Sequence, residues 1–84
     1  MTRIKYTKSD KGYTSKYYTN YEGTKLIVFI YSNENAEKHS IYIIDDKKNI
    51  LEHEIYNSLA IAKRKARSLL IHKYNVRLNE EIRS

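Results

Sequence analysis

Leu26-Ile27-Val28-Phe29-Ile30-Tyr31 is the longest unbroken apolar run in a chain of 84 residues. Six residues rich in β-branched and aromatic types are too few for a buried helix and suit a strand apolar on both faces, at the centre of a sheet. Around this strand, Thr24–Ser32, the turn signals fall at short intervals. Glu22-Gly23 leads into it and Asn33-Glu34-Asn35-Ala36-Glu37 leads out. His39 to Asp45 reads as the next strand, Asp46-Lys47-Lys48-Asn49 as a tight turn, and Ile50 to Tyr56 as the antiparallel return. Upstream, Tyr13, Ser15, Tyr17, Thr19 and Tyr21 alternate along one face of a single strand, Tyr13 to Tyr21. Asp10-Lys11-Gly12 turns the chain back from a weaker strand, Arg3 to Lys8, with Ile4 and Tyr6 on one side.

After Tyr56 the period changes from two to about 3.6. Ser58 offers an N-cap, and Leu59, Ala62, Ala66, Leu69 and Leu70 fall within an arc of roughly 100° on a helical wheel. The two alanines let the helix sit close on the sheet. Asn75 after Tyr74 fits a left-handed C-cap. Ile61 and Ile71 point away from the apolar arc. The sequence therefore predicts one α+β domain over residues 1–84. Its strands occupy 3–56 in an antiparallel meander of four or five, one C-terminal helix at about 58–74 packs on one face, and a short strand or tail covers 75–84.

Composition removes several classes of function. There is no cysteine, so neither a disulfide scaffold nor thiol chemistry is available, and two glycines cannot build a phosphate-cradling loop. No apolar run approaches the roughly 20 residues of a spanning helix, and the opening Met1-Thr2-Arg3-Ile4-Lys5-Tyr6 has no apolar core of a signal peptide. A cytoplasmic location and no membrane partner are expected. His39, His53 and His72 fall on three elements without metal-ligand spacing, so no metal and no cofactor are expected. His53, between Leu51 and Ile55 on one strand face, reads as half-buried and hydrogen-bonded. Glu52 and Glu54, two residues apart, read as a solvated face or as partners for nearby bases. No catalytic residue is assigned, and the chain is expected not to be an enzyme.

Charge is the informative feature. Lys and Arg number 16 against 10 Asp and Glu, a net charge of +6. Residues 1–25 hold six bases against two acids, residues 26–57 three against six, and residues 58–84 seven against two, so the excess sits at the two ends. On the helix, Lys63, Arg64, Lys65 and Arg67 cluster within five residues, followed by Lys73, and no acid interrupts residues 55–79. Intrahelical ion pairs therefore cannot absorb these cations, which suit phosphate neutralisation. The first strands add Lys5, Lys11 and Lys16 interleaved with tyrosines, Tyr17 among them, as in surfaces that hold unstacked bases. The expected function is non-catalytic nucleic-acid binding, to DNA or RNA, mainly through phosphates. Lys63, Arg64, Arg67, Lys73, Lys5, Lys11, Lys16 and Tyr17 would carry it, with little sequence preference. The alternative is a protein-interaction factor that uses the acidic middle and exposed strand edges, with a host or virion protein as partner. A homodimer through edge strands is compatible with either.

Arg3-Ile4-Lys5-Tyr6 with Gly12-Tyr13-Thr14-Ser15-Lys16, and Lys63-Arg64-Lys65-Ala66-Arg67 with Leu69-Leu70, Val76, Glu81 and Arg83, resemble small uncharacterised proteins of tailed phages. The resemblance implies a phage origin and a host-cell cytoplasm, and implies no mechanism. Tyr74-Asn75-Val76 stands where a glycine before the valine is expected, and Asn75 can fill the same cap. Strands followed by a helix opening Ser58…Ala62-Lys63…Ala66 are also similar in architecture to the arm-binding domain of phage integrases, three strands and a helix that read DNA with the sheet.

Overall fold

The computed structural model describes residues 3–76 and 78. The apolar run lies within β4 (Lys25–Ser32), the longest strand, with β5 (His39–Asp45) on one side along its whole length. β6 (Ile50–Tyr56) returns along β5, and β1 (Tyr6–Ser9) and β2 (Gly12–Ser15) form a hairpin on the other side of β4. The order β1-β2-β4-β5-β6 is an antiparallel meander, with the two-residue β3 (Tyr18–Thr19) also paired to β4. The first strand is shorter than expected, since residues 3–5 precede the ladder.

The expected single strand Tyr13–Tyr21 is broken. Between the pairs Thr14↔Phe29 and Tyr18↔Leu26 one strand advances four residues and β4 only three. That extra residue is a bulge, and it inverts the alternation. Tyr13 is half-buried, but Tyr17, Thr19 and Tyr21 are exposed, while Tyr18 and Asn20 turn inward. The Ser15 side chain completes the bulge. Its hydroxyl accepts the buried Val28 N–H at 2.8 Å and donates to the Lys16 carbonyl at 2.8 Å. At Gly12 the partner strand comes so close that a Cβ would lie 1.9 Å from the Ile30 carbonyl oxygen.

Register sorts the sheet into two faces. Leu26, Val28 and Ile30 with Ile41 and Ile43 look toward the helix and form the core with Ile4, Tyr18, Ala62, Ala66 and Leu70. A second bulge between Ile43 and Ile44 brings Leu51 in against this core. It leaves His53 and Ile55 outward, which corrects the half-buried reading of His53. That ring is exposed and stacks on Tyr42 at 4.4 Å, nearly parallel at 8°. Asp45 closes the β5–β6 turn by accepting the Lys47 and Asn49 amides at 3.0 and 2.8 Å. The Asn49 N–H, helped by the Asn49 side chain and by Lys47, holds its carboxyl below the usual range.

Helix α1 (Leu59–Ser68) starts where expected, with the Ser58 hydroxyl accepting the Ile61 amide. Fully buried Ala62 and Ala66 set it close over β5 and β6. The helix then widens into a π-helical turn, Leu69–Lys73, in which the Tyr74 amide bonds to the Leu69 carbonyl five residues back. Because each residue of a π-turn rotates less than 100°, Ile71 stays against the core, half-buried rather than pointing away as the wheel predicts. Asn75 caps the end at φ 59°, as expected. The Tyr21 amide donates to the Asn75 carbonyl, and Asn20 pairs with Val76, so the end of the helix is tied to the β3–β4 turn. Of the expected terminal strand or tail, Asn75 and Val76 make these contacts and Leu78 is buried in the core, while residues 77 and 79–84 lie outside the described residues.

Candidate nucleic-acid interface

Because α1 runs over β5 and β6, its opposite flank overhangs the β1–β2 hairpin. Lys63, Arg64 and Arg67, spaced i, i+1 and i+4, project along that flank. Below them Tyr6 and Tyr13, directed to the helix side by the strand alternation, meet edge-to-face with centroids 6.3 Å apart. The Lys63 ammonium lies 4.5 Å from the Tyr13 ring centroid and 5.4 Å from that of Tyr6. The segment before β1 closes the far wall. The Lys5 N–H donates to the Tyr18 hydroxyl at 2.8 Å, which seats Ile4 in the core and leaves Arg3 at the rim.

The result is an open cleft of about 740 Å³. Its apolar floor is Ile4, Ala60 and the two tyrosine rings, and its cations are Arg3, Lys63, Arg64 and Arg67, with no Asp or Glu among the described lining residues. The Tyr6 hydroxyl is buried and makes no hydrogen bond among the described residues. Burial, reinforced by Tyr18 nearby, pushes its ionisation well above the ordinary phenol range, so Tyr6 adds no negative charge to this site.

The other sequence-derived candidates lie elsewhere. Lys73 is ion-paired with Glu52 on β6 at 3.0 Å and is not among the residues lining the cleft. Through Glu52 that corner also affects Tyr74, whose hydroxyl is pushed up to about 12, first by burial and then by the carboxylate. Lys11 borders a second hollow that also contains Asp10 and Glu34, so its charge is locally offset. The Lys16 ammonium lies 5.3 Å from the Tyr18 ring centroid, at the bulge. Lys5 and Tyr17 are exposed, and neither lines the cleft. Three of the expected residues, Lys63, Arg64 and Arg67, are thus brought together.

Sequence reasoning missed Arg3, Tyr6 and Tyr13. The signal was present, since Tyr6 shares the parity of core residue Ile4. Ala60, Lys63, Arg64 and Arg67 also fall within one arc of roughly 100° on the wheel, which starts at the edge of the apolar arc and runs round to the side opposite it. Among the described residues no helix is long and apolar enough to cross a membrane, and no group of three or more His, Asp or Glu is placed to hold a metal ion. Compared with known protein families, with curated proteins and with solved structures, the chain matches none.

Proposed function

We propose that the chain is a non-catalytic nucleic-acid-binding protein whose contact surface is the cleft between α1 and the β1–β2 hairpin. The supporting observation is the convergence of Arg3, Lys63, Arg64 and Arg67 on one cleft whose described lining residues include no Asp or Glu. Four cations on an apolar floor suit a run of phosphates, because each neutralised phosphate releases condensed counterions. Arginine adds paired N–H donors that match phosphate oxygens. The tyrosine floor gives a sugar or an unstacked base an apolar surface to rest on. Nothing in the cleft presents the Asn, Gln or Arg spacing that reads base edges, so binding is sequence-tolerant. A phage origin, as the resemblance implies, would set this activity in the host cytoplasm.

Fluorescence anisotropy with labelled duplex and single-stranded oligonucleotides tests the proposal. Micromolar binding at about 50 mM salt should weaken steeply by 200 mM. Arg3→Gln/Arg64→Gln should lower the slope of log affinity against log salt by about two, one for each phosphate contact removed. Lys73→Gln should leave the slope unchanged. No binding at low salt, or equal loss from both variants, would refute the assignment.

A further inference from the structure

Among the described residues, nothing packs over the face of the sheet turned away from the helix. The core, the helix and the tied-down Val76 and Leu78 all lie on the other side. On this outer face the middle strands carry a continuous row of rings. Phe29 stacks parallel to Tyr31 at 6.4 Å, Tyr31 meets Tyr42 edge-on at 5.7 Å, and Tyr42 stacks on His53 at 4.4 Å. Ile50 and Ile55 continue the row along β6. Exposure of 48% at Tyr31, 62% at Ile50 and 57% at Ile55 makes this an exposed apolar patch rather than a scatter of single side chains. Among the outward positions of the described strands, Lys25, at the very end of β4, is the only Lys, Arg, Asp or Glu.

We infer that this outer sheet face is a homodimer interface, on which a second copy of the chain packs sheet against sheet. Three features select a second copy. First, in a chain of net charge +6 this face carries one charged strand residue, Lys25 at its margin, so two like-charged molecules meet there with little local repulsion. Second, the size fits. The strands, of 4, 4, 2, 8, 7 and 7 residues and spaced about 4.8 Å, give a plan area of roughly 500 Å². A face studded with side chains has more accessible area than that, which approaches the roughly 800 Å² per partner of a stable interface. Third, the pattern is self-complementary. A two-fold axis across the strands sets β6 over β6, so that Ile50 and Ile55 of one copy meet Ile55 and Ile50 of the other.

The ring geometry argues against bases as the occupant. Tyr42 and His53 cover each other's faces and turn their edges outward. A stacking platform must instead offer ring faces, with cations beside them for the phosphates. Face-to-face packing of two sheets needs interdigitating edges and branched side chains, which are present here. The dimer would carry its two basic clefts on opposite outer surfaces, so the inference stands whether or not those clefts bind nucleic acid.

Sedimentation velocity of the full chain, from micromolar to millimolar, is the test. The expected result is a reversible shift from 10.1 kDa toward twice that mass. Tyr31→Glu and Ile55→Glu should each weaken association by about tenfold or more. Ile61→Glu, on the exposed face of the helix, should have no effect. Both outer-face sites are about half exposed, and circular dichroism checks that the variants fold. A 10.1 kDa species at every concentration would overturn the inference. So would a dimer insensitive to both outer-face variants, or an outer face occupied instead by single-stranded oligonucleotide in a Tyr31-dependent manner.

Discussion

At the scale of single residues, small polar groups hold the irregular points of the fold. The Ser15 hydroxyl satisfies the Val28 amide inside the sheet. Ser15→Ala leaves that buried donor without a partner and should cost about 1–3 kcal/mol, measured by urea unfolding. Tyrosine ionisation gives a second check. In the folded state Tyr6 and Tyr74 hold their protons well above the ordinary phenol value, Tyr74 to about 12. The folded protein therefore binds protons that the unfolded chain releases near pH 10, and the stability this confers is complete below pH 10 and lost as the pH climbs toward 12. Ultraviolet titration should show these two of the nine tyrosines ionising last, together with the loss of the circular dichroism signal. Ser58, Asn75 and the Asp45 turn were readable beforehand, because caps and Asx turns depend on one side chain and its nearest amides. The buried Tyr6 hydroxyl, without a hydrogen bond among the described residues, was not readable, since burial depends on what packs above it.

At the scale of elements, the order of strands and helix followed from turn signals and from the change of period after Tyr56. What eluded the sequence were three places where the period slips by one. At the Ser15–Lys16 bulge the tyrosine alternation inverts, at Leu51 the strand gains a residue, and at Leu69–Lys73 the helix widens. Each slip is settled by long-range packing, with Tyr18, Leu51 and Ile71 going to the core, rather than by local propensity. The bulge keeps Tyr18 opposite Leu26 on the core side, and Tyr18→Ala empties that fully buried position. Losing a large buried aromatic from the core costs about 3–5 kcal/mol, a large share of what so small a domain has. The Tyr18→Ala variant should therefore lack a cooperative thermal transition.

At the scale of the whole molecule, two layers separate charge from apolar surface. The helix side carries Lys8, Glu52, Glu54 and the basic cleft, and the opposite face is aromatic, with Lys25 its one charged strand residue. Part of the cleft was legible, because Lys63, Arg64 and Arg67 are close in sequence. Its other wall was not. Arg3, Tyr6 and Tyr13 approach the helix only after the meander has closed, and Lys73 is held by Glu52, a partner 21 residues away. The two faces also separate the two proposed binding activities in space. Variants at Tyr31 and Ile55 should change association state without altering the salt slope of oligonucleotide binding, and Arg3→Gln/Arg64→Gln should do the reverse.

The most direct test of the account is a backbone amide NMR titration of the labelled chain with a short oligonucleotide at low salt. The account predicts that shifts concentrate at Arg3, Tyr6, Tyr13, Ala60, Lys63, Arg64 and Arg67, fade as salt is added, and spare the Asp45–Asn49 turn. Shifts centred on Phe29, Tyr31, Tyr42 and His53, or spread evenly over every surface lysine, would contradict it.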